Sequence, residues 1–156
     1  MKMYLLDTNI ISEPTKAKAN PVVTEKILEN IEYYCISSVV WAETLSGIKS
    51  LPDGNRKTML FDYATNQIQK MYEILPFDDF AASIYSDLIS RLQPKGKLPQ
   101  KLDLMIASTA IANNLILVTR NTSDFQPIKE VTNLMLENWF ELFSPVIDGS
   151  PMPTAP

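Results

Sequence analysis

The chain has 156 residues, 46% of them hydrophobic and 21% charged, which is enough for one globular domain with a real core. It contains no histidine and one cysteine, Cys35, which excludes Ser-His-Asp and Cys-His catalysis, paired-histidine RNA cleavage, His-ligated zinc, internal disulfides and cysteine clusters. The net charge of −4 and pI near 4.8 exclude a polyanion partner only weakly, because acids gathered round divalent cations present a less negative surface than the formal count.

Tyr4-Leu5-Leu6 is a short apolar run that stops abruptly in Asp7-Thr8-Asn9. A carboxylate, a hydroxyl and an amide in that place read as a buried strand delivering polar groups to the rim of a sheet. Ligands of open α/β sheets bind at that rim, so Asp7 is a candidate for chemistry; the competing reading is that it only caps the helical turn that follows. Asp7 also arrives too early for a signal peptide, and no apolar run approaches the roughly 18 residues of a membrane helix, so a cytoplasmic protein is expected.

Residues 10–14 read as a helical turn ended by Pro14, and residues 16–20 as a polar loop. Pro21 starts a helix whose apolar face is Val22, Val23, Ile27, Leu28 and Ile31. Residues 32–36 follow as a strand, with Cys35 a small buried residue within it. Ser37-Ser38 signals the N-cap of a helix through Ile48 that is apolar on nearly every side and is expected to be well covered. Glu43 lies in that helix one turn from Val39 and Val40 and one turn from Ser46 and Gly47, although a plain solvated side chain is the competing reading.

A turn over residues 51–55 precedes a long amphipathic helix over residues 56–73 carrying Leu60, Tyr63, Ala64, Ile68, Met71 and Tyr72. Residues 74–77 form an extended link, and Asp78 or Asp79 caps a helix with Ala81, Ile84, Tyr85, Leu88, Ile89 and Leu92. These two helices cover the sheet or form a dimer face. Residues 93–99 are the clearest internal loop; Lys95 and Lys97 make a basic patch with Lys101, or simply a solvated turn.

The helix over residues 101–113 sets Asp103 on one face with Ala107, Ala110 and Ile111, flanked by Ile106. That is a carboxylate on a side meant for the core, although its first-turn position also suits the helix dipole. Asn113-Asn114 fits a helix end, and residues 115–118 are an uninterrupted apolar strand of the kind found inside parallel sheets. This strand ends in Thr119-Arg120-Asn121-Thr122-Ser123-Asp124-Phe125, so the pattern around Asp7 recurs. Residues 132–136 are predicted as a last strand. A single domain over residues 1–140 and a disordered tail over residues 141–156 complete the expectation.

Taken singly, each acid has an ordinary structural explanation. Together, Asp7 after the first strand, Glu43 on the helix after the second, Asp103 opening a helix with an apolar face, and Asp124 or Asn121 beyond a late strand converge on one rim of a βα sheet. Crowded carboxylates raise one another's pKa unless a cation neutralises them, and carboxylate oxygens favour Mg²⁺ or Mn²⁺.

Four stretches then carry a resemblance. They are residues 5–14 (Leu-Leu-Asp-Thr-Asn-Ile-Ile-Ser-Glu-Pro), Ser37 with Glu43 and Gly47, residues 103–110 (Asp-Leu-Met-Ile-Ala-Ser-Thr-Ala), and Thr119-Arg120-Asn121 with Asp124-Phe125. In this order and spacing the chain resembles PIN-domain ribonucleases of the VapC or FitB type, toxins of bacterial toxin–antitoxin pairs, over residues 1–139. The opening run through Glu13-Pro14 is closer to the FitB-like branch.

The resemblance implies a single-domain α/β/α sandwich with a central parallel sheet, a homodimer, a small DNA-binding antitoxin as partner, and metal-dependent hydrolysis of phosphodiester bonds in RNA. Single-stranded or looped RNA is the expected target, since sequence readers of RNA need exposed bases. Asp7, Glu43 and Asp103 fall on the family's catalytic acids and would hold Mg²⁺ or Mn²⁺. The fourth acid of the family often directly follows the Thr-Arg pair; Asn121 stands there, so Asn121 or Asp124 would complete the set. Thr8, Asn9, Thr119 and Asn121 would support the ligands, and Arg120, Lys95, Lys97 and Lys101 would contact phosphates. An antitoxin would place an Arg or an apolar segment near the acids.

Two alternatives compete. Covalent phosphotransfer through Asp7 calls for a second carboxylate two residues on, where Asn9 stands, or for a lysine after a late strand, where Thr119-Arg120 stands. The other is a PIN-fold binding module, docking an antitoxin or nucleic acid without useful cleavage for want of the fourth acid; retention of Asp7, Glu43 and Asp103 argues against it.

Overall fold

The computed structural model describes residues 1–141. Its sheet has five parallel strands in the order β3-β2-β1-β4-β5. They are β1 (Tyr4–Leu6), β2 (Tyr34–Ser37), β3 (Glu73–Leu75), β4 (Ile116–Val118) and β5 (Met135–Glu137). Tyr4 is in register with Tyr34 on one side and Ile116 on the other, and Leu6 with Val118. The three central strands are covered on both faces, which is why Leu5, Leu6, Cys35, Ile36, Leu117 and Val118 form unbroken apolar runs rather than alternating ones. Cys35 is so enclosed that burial pushes its thiol up to about 12.

The helices are α1 (Thr8–Ile11), α2 (Pro21–Glu29), α3 (Ser38–Lys49), α4 (Asn55–Tyr63), α5 (Gln69–Met71), α6 (Asp79–Leu92), α7 (Lys101–Ala112) and α8 (Thr122–Val131). The chain moves outward from β1 to β2 to β3, then returns across the sheet to β4 and β5. With right-handed crossovers, α2 to α5 fall on one face and α6, α7 and α8 on the other, where they pack on one another. The result is a three-layer sandwich, and the direction of winding reverses between β1 and β4. Tyr4 packs edge to face on both Tyr34 and Trp139, whose own rings meet at a tilt, and the Trp139 indole donates to Glu137 at 2.9 Å.

Caps follow the sequence closely. The Ser37 hydroxyl accepts from the Val40 N–H, the Asp78 carboxylate from the Ala81 N–H, and Asn114 takes the left-handed conformation after α7.

Several boundaries differ. The helix predicted over residues 56–73 divides, because α4 gives way to a π turn over Ala64–Ile68, which keeps Ala64 and Ile68 buried. Tyr72 then leaves the helix, and Glu73–Leu75 pairs with β2 as an edge strand where the sequence pattern shows only a link. Residues 31–33 form a 3₁₀ turn, so β2 starts at Tyr34, Ile31 is off the α2 face, and Leu28 is 67% exposed. The pattern predicts no helix over residues 122–131, where Pro127 masks α8; that helix delays β5 to Met135. Helix α3 is covered on one side only: Val39, Val40 and Ile48 are buried, while Ala42, Ser46 and Gly47 are exposed. The tail expected over residues 141–156 lies, beyond Glu141, outside the described residues. No helix among the described residues is long and apolar enough to cross a membrane.

Candidate active site at the switch point

Asp7 leaves β1 at the point where the winding reverses, its N–H bonded to the Val118 carbonyl at 2.9 Å. The side chain caps the next helix and also meets polar groups from the neighbouring strand end. It caps α1 by accepting from the Thr8 N–H at 2.8 Å, and it accepts from the Thr119 hydroxyl at 2.8 Å and the Asn9 amide at 3.4 Å. Thr119, the first residue after β4, is fully buried and is the hub between the two strands: its oxygen also accepts from Asn9 Nδ2 at 3.3 Å and from the Asn121 N–H at 3.1 Å. Asn9 completes the bridge by accepting from the Arg120 N–H at 3.0 Å.

Glu43 reaches the same rim from α3. The Thr8 hydroxyl donates to its Oε2 at 3.4 Å, whereas its Oε1 is buried and meets no donor among the described residues. The half-buried Glu43 stands between two recesses. One, of about 300 Å³, is lined by Thr8, Ser12, Thr44, Gly47, Leu60 and Tyr63; the other, of about 420 Å³, by Ala42, Ser46, Phe77, Leu102 and Met105. Asp103 arrives from the first turn of α7, which no side chain caps, and opens onto a third recess of about 360 Å³ with Gln100, Asn121 and Asp124.

The electrostatics tie these acids together. Burial raises the Asp7 carboxyl against the opposing pull of its Thr119, Thr8 and Asn9 hydrogen bonds, and Asp124 adds repulsion. Burial raises Glu43, with further repulsion from Asp7 and then Asp103. Asp103 is pushed up to about 6 by burial, then by Asp7 and Asp124. Of the two candidates for a fourth position, Asp124 thus contributes a charge that Asp7 and Asp103 both feel. Asn121 is neutral, lines the same recess as Asp103, and gives its N–H to Thr119.

Hard oxygen donors, mutual repulsion and an orphaned Glu43 oxygen are conditions that a divalent cation relieves, so the residues fit Mg²⁺ or Mn²⁺ in chemistry. Among the described residues, however, no three His, Cys, Asp or Glu side chains are arranged to share one ion as they stand. Holding a cation between Asp7, Glu43 and Asp103 requires side chains to turn inward or water to bridge, and Mg²⁺ commonly keeps several of its waters.

The basic candidates separate. Arg120 is exposed beside Thr119, with its guanidinium carbon 4.6 Å from the centre of the Phe140 ring. Lys95 and Lys101 are exposed, and Lys97 turns toward Glu130, 3.7 Å away. Sequence reasoning missed Lys16 and Arg56, which line the recess beside Glu43, and Phe140 beneath Arg120. It also left Glu13 without a role. That carboxylate is 3% exposed, accepts from the Asn20 N–H at 2.8 Å, and has Lys16 Nζ 2.7 Å away as an ion pair lying off the line of a hydrogen bond. Burial pushes Glu13 up, but Lys16, the Asn20 N–H and the more distant Arg120 outweigh it and hold the carboxyl below its ordinary range. No local signal reveals these partners, since each depends on how the loop over residues 13–20 folds back.

Comparison with known proteins agrees with the fold. A profile of the family described as PIN domain matches residues 4–130. VapC ribonuclease Y4jK of Sinorhizobium fredii is 35% identical over 127 residues, covering 80% of this chain and 91% of that protein. Toxin FitB of Neisseria gonorrhoeae is 35% identical over 129 residues, covering 79% and 91%. Among solved structures, FitAB bound to an IR36 DNA fragment superposes with a TM-score of 0.81 at 31% identity, over 90% of this chain and 97% of that one.

Proposed function

The chain belongs to the PIN domain family, and on that premise we propose that it is a metal-dependent endoribonuclease acting in the cytoplasm as the toxin of a toxin–antitoxin module. The observation that carries this reading is the meeting, at one sheet rim, of three carboxylates from three separate elements, each raised by burial and by at least one other acid. A purely structural cluster has no reason to keep that repulsion, because neutral residues would stabilise the fold better. The names carried by similar chains, a VapC ribonuclease and a FitB toxin, support the same activity.

In this reading Asp7, Glu43 and Asp103 hold Mg²⁺ or Mn²⁺, with Asp124 adding charge at the fourth position in place of Asn121. The cation supplies positive charge that acidifies a water and offsets charge on the phosphoryl oxygens. The chain's own residues prepare the place. Thr119 and Asn9 fix the Asp7 carboxylate by donating to the same oxygen, Oδ2, and Thr8 spans Asp7 and Glu43 with its N–H and its hydroxyl. Asp7 Oδ1 and Glu43 Oε1 are left for ligation, the first with one backbone bond and the second with none.

Hydrolysis breaks the bond from phosphorus to the leaving ribose oxygen as a bond to the water oxygen forms. Arg120, Lys101 and Lys95 would grip flanking phosphates, which fixes position rather than sequence. The likeness to a DNA-bound FitAB supports a DNA-binding antitoxin as partner, and we read the toxin itself as a homodimer.

The test uses purified chain free of any partner, incubated with mixed RNA with and without Mg²⁺ or Mn²⁺, beside an Asp7→Asn variant. The expected result is cleavage by the unsubstituted protein in metal alone. Equal cleavage by both proteins, or cleavage indifferent to chelator, would sink the metal-nuclease reading. No cleavage at all would favour the binding module.

A further inference from the structure

We propose that Phe140 is a positioning residue that holds the Arg120 guanidinium at the flank of the acid site, making Arg120 a preset grip for an RNA phosphate. The inference rests on the ribonuclease reading for its substrate, but its geometry stands apart from the acids. Arg120 directly follows Thr119, which bonds Asp7, and its charge is felt by Glu13, so whatever the arginine grips lies on the flank of the acid rim.

Its backbone is clamped on both sides. The Arg120 N–H donates to Asn9 Oδ1 at 3.0 Å, and its carbonyl accepts from Asn138 Nδ2 at 3.3 Å. The same Asn138 accepts from the Phe140 N–H at 3.0 Å, so one amide side chain sets arginine and ring relative to each other. The guanidinium carbon then lies 4.6 Å from the centre of the half-buried ring, within cation–π range.

What is left is a planar cation held within cation–π range of an aromatic ring. No ion pair among the described residues engages Arg120, whereas Lys97 faces Glu130 and Lys16 faces Glu13. A free surface arginine loses most of its rotamer freedom when it closes on a phosphate. One held against a ring has already lost part of it, and its fork can offer two parallel donors to the phosphate oxygens. The surroundings suit this task, since a polyanion approaching a rim of four acids needs an anchoring cation that does not swing into them.

The test measures binding and turnover separately. Binding is read with a fluorescent single-stranded RNA 12-mer in chelator, on the Asp7→Asn protein so that nothing is cut. Arg120→Ala should weaken binding roughly tenfold and reduce the slope of log affinity against log salt by about 0.7. Phe140→Ala should weaken it roughly two- to fivefold with the slope kept, because the charge remains. Phe140→Tyr should restore it, and Phe140→Leu, which keeps apolar bulk without the ring, should not.

In the otherwise unsubstituted enzyme with metal, Phe140→Leu and Phe140→Ala should raise KM by the same factor and leave kcat unchanged, with melting temperatures identifying any variant that has merely lost stability. Phe140→Leu that binds as well as the parent overturns the inference while leaving the nuclease reading intact. A parent that does not bind the RNA overturns it too, whereas the nuclease reading stands or falls on cleavage by the unsubstituted protein.

Discussion

Asp103 shows what the acid cluster does to a single residue when nothing neutralises it. Its carboxyl titrates near 6 rather than near its ordinary 3.8, for reasons of burial first and of Asp7 and Asp124 second. A carboxyl raised in the fold is a burden when ionised: the penalty is complete above about pH 6 and is relieved as pH falls through that value toward 3.8. Asp7 and Glu43 shift in the same direction. Glu13 runs the other way. Its lowered carboxyl stabilises the fold above its ordinary 4.5, and that contribution is lost as pH falls through the lowered value. The metal-free protein should therefore gain stability from pH 7.5 to about 5 and lose it again in stronger acid, as thermal melts across pH would record. Asp103→Asn should flatten the first half of that curve, leaving the part that Asp7 and Glu43 contribute. It should abolish cleavage and raise the metal-free melting temperature at pH 7.5 by about 2–4 °C, a change that corresponds to about 1 kcal/mol in a chain of this size once solvent screening of the half-exposed carboxyl is allowed for. A lower melting temperature, or an unchanged pH profile, would show that Asp103 is not under this strain.

At the scale of elements, the residues that mattered were readable where a strand ends and a helix begins. Asp7, Ser37 and Thr119 each stop an apolar run with a group that caps or bridges, which is a local signal. Helix α3 illustrates the consequence: Ser37 caps it and Glu43 rides on it, so the cap helps fix where the carboxylate sits. Ser37→Ala should cost about 1–2 kcal/mol, the upper part of the range for caps because Ser37 is fully buried and the Val40 N–H would lose its only side-chain acceptor. The expected readouts are a melting temperature about 2–8 °C lower and a fall in kcat larger than any rise in KM. An equal melting temperature would mean that the cap is replaceable by water. What the sequence did not disclose depends on partners distant in the chain. Glu73–Leu75 becomes a strand because β2 offers it an edge, not because of its own pattern. Helix α8 forms around Pro127 against a local preference. Phe140 meets Arg120 across twenty residues of sequence, and no periodicity announces such a contact.

For the molecule as a whole, the net charge of −4 and the concentration of acids at one rim mean that the metal binding proposed above would be a stability effect as well as a catalytic one. A cation that binds the folded chain and not the unfolded one stabilises it by mass action, about 2.7 kcal/mol at a hundred times its dissociation constant. The relief of repulsion among Asp7, Glu43, Asp103 and Asp124 contributes to that affinity rather than adding to it. Saturating Mg²⁺ or Mn²⁺ should therefore raise the melting temperature by about 5–10 °C. Because the cation competes with protons for the same oxygens, the rise should be larger at pH 7.5 than at pH 5.5, where Asp103 is largely protonated in the free protein. The Asp7→Asn protein serves as the control. The substitution removes one of the three proposed ligands, which should leave too little to hold a divalent ion, and the variant's melting temperature should hardly respond. A rise of the same size in Asp7→Asn, or in Na⁺ at matched ionic strength, would assign the effect to general screening of an acidic surface and remove the metal from the rim.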